Sequence, residues 1–137
     1  REIHGQDELP VLLPRADVVI VIMPQTAQTT GMIDAEFLAR MKDGAVLVNV
    51  ARGAIVNTDA LLAEVTSGRI SAGLDVTDPE PLPPDDPLWT APGVLISPHV
   101  GGSTSAFAPR AKRLVQDQLN RWRRGEPLLN QMTPPES

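Results

Sequence analysis

Four short apolar runs, separated by stretches of helical character, constrain this sequence more than any other feature. They are Asp17 to Met23 (DVVIVIM), Ala45 to Val50 (AVLVNV), Ile70 to Val76 (ISAGLDV) and Val94 to Ser97 (VLIS). Each has the length and β-branched content of a buried parallel strand, and near-continuous apolarity predicts helices over both sheet faces. Between the runs, Asp34 to Met41 puts Phe37, Leu38 and Met41 on one helical face, with Gly44 as the stop. Asn57 or Thr58 can cap a second helix through Leu61, Leu62 and Val65, ending at Gly68. A third should begin near Ser103 or Thr104. It carries Phe107, Ala111, Leu114, Val115, Gln118, Leu119 and Trp122 on one stripe and ends at Gly125 and Pro127.

Strand–helix alternation at these spacings reads as βαβ units, hence an α/β fold: a Rossmann-like parallel sheet with flanking helices. The segment from Thr77 to Gly93 is dense in Pro and Asp and predicts a long surface loop where a helix would otherwise run. The domain is expected to cover residues 1–130, including the long helix, with a flexible tail over 131–137.

Charge and composition exclude several function classes. Twelve basic and seventeen acidic residues give a net charge of −5, which argues against a nucleic-acid surface. With no cysteine there is no disulfide frame and no thiolate metal site, as in a cytoplasmic protein, and no metal centre is expected. The run Val18 to Met23 is far too short for a membrane span. The start, Arg1-Glu2-Ile3-His4-Gly5, has neither the pattern of a signal peptide nor an initiating Met, so the chain is expected to be a piece of a longer protein.

Ligands of open parallel sheets bind beyond the carboxyl ends of the strands. The first run leads into Met23-Pro24-Gln25-Thr26 and the second into Ala51-Arg52-Gly53. The third closes on Asp75 and leads to Asp78-Pro79-Glu80-Pro81, and the fourth runs into Pro98-His99-Val100-Gly101-Gly102. Small and polar residues therefore gather at one sheet edge. Arg52 can clamp a carboxylate through two parallel hydrogen bonds, with Gly53 letting the chain turn sharply. Alone it reads more readily as a surface arginine on a βα loop. His99 is a candidate general acid–base, because imidazole titrates near neutrality; alone it reads equally as a core histidine satisfied by a carbonyl. Glu80 could orient the imidazole if its proline-rich loop folds back over the strand ends, and is otherwise solvated. Asp75, closing an apolar strand, either binds a ligand or caps a loop. Gly101-Gly102 opens a helix whose free N–H groups can hold an anion or a carboxamide oxygen.

The ordered series VNVARGAIVNTDAL, SAGLDVTDPEPLP and VLISPHVGGST resembles the coenzyme-binding domain of the D-isomer-specific 2-hydroxyacid dehydrogenases. The upstream ADVVIVIMPQTAQTTGMIDAEFLARMKDGA is similar too, so the resemblance runs from about Asp17 to Asn130. It implies an oxidoreductase moving a hydride between NAD or NADP and a 2-oxoacid/D-2-hydroxyacid pair. Arg52 would bind the substrate carboxylate, Glu80 would pair with His99, and His99 would carry the proton. Coenzyme contacts are implied from Met23, Pro24, Val50, Ala51, Arg52, Asp75, His99, Gly101 and Gly102. A homodimer is implied as well. The Gly-x-Gly-x-x-Gly turn that holds a pyrophosphate is not in the sequence, so the chain is expected to hold the C-terminal half of such a domain and to be nearly inactive alone. The alternatives are a regulatory or corepressor-like protein on the same fold, or a fragment without activity.

Overall fold

The computed structural model describes residues 2–131. Strands β1 (Val18–Val21), β2 (Val46–Asn49), β3 (Ser71–Leu74) and β4 (Val94–Ile96) form a parallel sheet in the order β1-β2-β3-β4. Helices α2 (Ala35–Arg40) and α3 (Thr58–Thr66) make the first two crossovers. The register aligns the strand ends: Val21 lies beside Asn49, Asn49 beside Leu74, and Leu74 beside Ile96. The loops leaving those residues therefore emerge at one edge.

The strands are one to two residues shorter at most ends than the apolar runs, because their last residues already turn toward the carboxyl edge. Helix α2 is capped by Asp34, whose carboxylate accepts the Phe37 amide, and stops at Arg40, well before Gly44. Asn57, not Thr58, caps α3 by accepting the Ala60 amide, which frees the Thr58 hydroxyl for another contact. A short helical segment precedes the sheet and includes α1 (Leu9–Leu12). Pro10 and Pro14 each occupy the first turn of a helical piece, where a missing N–H costs nothing.

The core joins Val21, Leu47, Ala72 and Leu74 of the sheet with Leu38, Met41, Leu61 and Val65 around α2 and α3. On the opposite face Ile20 is 58% exposed and Leu95 74% exposed, the register placing both there through Val48 and Gly73. The segment from Thr77 to Gly93 is more than a surface loop. Its Leu82 and Leu88 are buried in the core, and Pro87–Trp89 makes one 3-10 turn.

Arg69 ties α2 to the end of α3. Its guanidinium donates to the Leu38 and Met41 carbonyls at 2.6 and 2.8 Å and to the Glu64 carboxylate at 2.6 Å. The hydrogen bond to Glu64 raises Arg69 above its ordinary pKa. Arg69→Ala removes charged donors from two helix-end carbonyls, of which Leu38's keeps the Met41 amide, and should lower unfolding free energy by about 2 kcal/mol, read as a lower urea midpoint at constant slope.

The described chain divides into two units after Val100, so the expected 1–130 domain takes in both. In the second unit α4 (Phe107–Arg123) begins later than Ser103 or Thr104, without a side-chain cap. Gly125, at φ 65, ends it, and the Gln118 amide then pairs with both backbone groups of Leu129 at 3.0 Å. Apart from Gln131, the tail expected over 131–137 lies outside the described residues. No described helix is long and apolar enough to cross a membrane.

Candidate functional site

Two cavities open at the carboxyl edge of the sheet. The larger, about 840 Å³, lies beyond β1 and β2 and is lined by Met23, Pro24, Thr26, Val50, Ala51 and Arg52 among others. The smaller, about 190 Å³, lies beyond β3 and β4 and is lined by Asp75, Glu80, Leu82, Trp89, Ser97 and His99 among others. Of the residues singled out in the sequence, Met23, Pro24, Val50, Ala51 and Arg52 thus share one cavity, and Asp75, Glu80 and His99 share the other. Gly101 and Gly102 open the second unit.

Arg52 owes its position to Asn49, a residue that no sequence pattern marks. Buried at the end of β2, Asn49 accepts the Ala51 amide at 3.0 Å and donates to the Arg52 carbonyl at 2.9 Å. Its side chain thereby shapes the turn that carries Arg52 to the surface. One signal could have found it: an amide inside an apolar strand must find partners, and a strand-end loop supplies them. The Arg52 guanidinium donates to the Ala51 carbonyl at 2.6 Å and otherwise faces the larger cavity.

The sharp turn expected at Gly53 is present and is made without a left-handed backbone. Gly53 starts a short 3-10 helix and is needed for close approach. A Cβ there would lie 1.9 Å from the Thr77 carbonyl oxygen and 2.6 Å from the Asp78 nitrogen. The freed Thr58 hydroxyl donates to the Asp78 carbonyl at 3.0 Å. Backbone contact at Gly53 and the hydroxyl at Thr58 hold the proline-rich loop back toward the sheet.

That placement brings Glu80 to His99. The Nδ1 atom of His99 lies 2.6 Å from Oε1 of Glu80. An ionised carboxylate can only accept, so Nδ1 carries the proton and Nε2 is left to take up or release one. Both side chains keep about two-fifths of their surface exposed, at 44% and 40%, so solvent can reach the pair. Asp75 accepts the Ser97 hydroxyl at 2.6 Å and the Val100 amide at 2.9 Å. Ser97 is a second residue to which the sequence alone assigns no role.

The sheet edge thus carries two cavities, with a guanidinium lining one and an oriented imidazole lining the other, groups able to hold an anion and to move a proton. The larger cavity has a mixed lining, apolar at Ile22, Met23, Pro24 and Val50 and polar at Gln25, Thr26, Thr30 and Arg52, which suits part of an elongated polar ligand.

Residues 2–101 match a protein family described as D-isomer specific 2-hydroxyacid dehydrogenase, NAD binding domain. The chain is 37% identical over 132 residues to an uncharacterised protein of Corynebacterium melassecola, covering 96% of this chain and 43% of the relative. It is 39% identical over 122 residues to the mitochondrial formate dehydrogenase of Hordeum vulgare, covering 88% of this chain and 32% of that enzyme. Its fold superposes on a D-isomer specific 2-hydroxyacid dehydrogenase from Xanthobacter autotrophicus Py2, in complex with NADPH and MES. The TM-score is 0.85 at 41% identity, covering 96% of this chain and 54% of that one. The chain therefore spans about half the length, or less, of the relatives it matches.

Proposed function

This chain belongs to the D-isomer specific 2-hydroxyacid dehydrogenase family, and from that premise we propose that it supplies the proton-transfer and carboxylate-binding half of an NAD(P)-dependent enzyme interconverting 2-oxoacids and D-2-hydroxyacids. The observation that carries the reading is the hydrogen bond between His99 and Glu80 at the sheet edge. The assembled dehydrogenase is here a protein that joins this segment to a phosphate-binding turn and a substrate domain.

Met23, Pro24, Val50 and Ala51 would line the coenzyme's bed in the larger cavity, with Asp75 as a further contact. When bound, NAD(P) supplies or accepts the hydride. Arg52 holds the carboxylate of the oxoacid and fixes which face of its carbonyl is presented. In reduction, Nε2 of His99 gives its proton to the carbonyl oxygen as hydride reaches the carbonyl carbon, leaving a hydroxyl. In oxidation, Nε2 takes the hydroxyl proton as hydride leaves. Glu80 keeps the ring in the tautomer that exposes Nε2 and stabilises the imidazolium form. The 137-residue chain alone should turn over very slowly, since its sequence holds no Gly-x-Gly-x-x-Gly turn for the pyrophosphate. The assembled enzyme is proposed to be a homodimer.

Following NADH and NADPH oxidation with a panel of 2-oxoacids tests the reading. Turnover with at least one acid is expected. Coenzyme binding without turnover on any acid would overturn it in favour of a regulatory protein on the same fold. In the active pairing, Arg52→Ala removes charge-assisted hydrogen bonds worth about 1.5–3 kcal/mol. It should raise KM for the oxoacid roughly tenfold to a hundredfold, with KM for coenzyme much less affected.

A further inference from the structure

His99 sits in the left-handed backbone region, at φ 53. Residues with a side chain adopt that region uncommonly and keep it only where their surroundings impose it. Here the imposing contacts flank the residue. One oxygen of Asp75 accepts the Ser97 hydroxyl and the Val100 amide. It thus grips the chain two positions before His99 and one position after it. The His99 amide donates to the Ser97 carbonyl at 3.0 Å, closing a tight turn inside that grip. Asp75 is itself fixed. It follows β3, is only 8% exposed, and its amide donates to the Asn49 carbonyl of the neighbouring strand at 2.9 Å.

We propose that Ser97 is a positioning residue. Its hydroxyl, held by Asp75, locks the turn that presents the His99 ring to Glu80 and leaves Nε2 for proton transfer. Asp75 is then a structural anchor for the histidine as well as a candidate coenzyme contact. The proposal rests on His99 being the proton-transfer group. A hydroxyl present only to satisfy a buried acid would leave the ring indifferent to its loss; a clamp would not.

The sequence offers a direct readout, because His4 and His99 are its only histidines. Long-range proton–nitrogen spectra of the ¹⁵N-labelled 137-residue chain report the tautomer of each ring, with His4→Gln assigning the pair. Above the titration range of imidazole, His99 in the unmutated chain should show protonated Nδ1. Ser97→Ala should give averaged ring nitrogens, and Ser97→Thr, which restores the hydroxyl, should return the original pattern. In the assembled dehydrogenase, Ser97→Ala should lower kcat roughly tenfold to a hundredfold, as misplacement of a reacting group does, with KM little changed. An unmutated chain without a fixed His99 tautomer, or a Ser97→Ala chain that keeps it, overturns the proposal. If Ser97→Ala does not fold, hydrogen exchange at the Val100 amide of the unmutated chain decides. Val100 is 48% exposed and outside any strand or helix, so slow exchange supports the clamp and unprotected exchange overturns it. Absence of turnover on every oxoacid, while Ser97→Ala still frees the ring, defeats the dehydrogenase reading alone. Turnover with an unaltered ring defeats the clamp alone.

Discussion

Replacing His99 by alanine in the assembled dehydrogenase should lower kcat by about a hundredfold or more, the usual cost of removing a general acid–base group. The loss should fall on kcat more than on binding, because in the proposed reading Arg52 holds the carboxylate and the larger cavity most of the coenzyme. Coenzyme titration by fluorescence should therefore give a Kd that changes far less than kcat. Glu80→Gln makes the complementary point. An amide can donate as well as accept, so the ring at Nδ1 is no longer compelled to carry the proton, and a fraction of molecules would present a protonated Nε2 that cannot act as base. A smaller fall in kcat than for His99→Ala is expected, with oxidation suffering more than reduction. Wild-type turnover by His99→Ala would remove the role assigned to the imidazole.

Gly53→Ala should be the most damaging single-methyl addition near the site. The added carbon would sit 1.9 Å from one backbone atom and 2.1 Å from the next, both in the loop at Thr77. No flexible side chain can yield there, so the loop must move. Overpacking against rigid neighbours costs about 1–3 kcal/mol, and the upper end is expected because the displaced atoms are main chain. Function should suffer beyond stability, since the same loop carries Glu80 three residues past Thr77. Urea unfolding measures the first effect, and the His99 tautomer measures the second. A stable Gly53→Ala chain with the His99–Glu80 contact intact would show that the loop is not held from this side.

Much of this organisation was legible in the sequence for simple reasons. Contiguous Val, Ile and Leu with helix signals between them can scarcely form anything but crossover-connected parallel strands, and parallel strands leave their loops at one edge. The positions of Arg52, Asp75 and His99 at that edge followed from chain order alone. What periodicity could not give was the partner of His99. Glu80 is nineteen residues away in a segment with no repeat, and its placement depends on the close approach at Gly53 and on Leu82 and Leu88 entering the core. Family resemblance implied the pairing where local pattern could not. Asn49 and Ser97 were missed because each looks like an ordinary strand-end polar residue until its hydrogen-bond partners are known.

A crystal structure of the assembled protein with NAD and oxamate, an unreactive 2-oxoacid mimic, tests the central claim most directly. The mimic's carboxylate is expected on the Arg52 guanidinium, with its carbonyl oxygen within hydrogen-bond distance of Nε2 of His99 and Nδ1 still on Glu80. A mimic bound elsewhere, or seated at this edge with Arg52 and His99 both turned away from it, would contradict the assignment of these residues to one reaction.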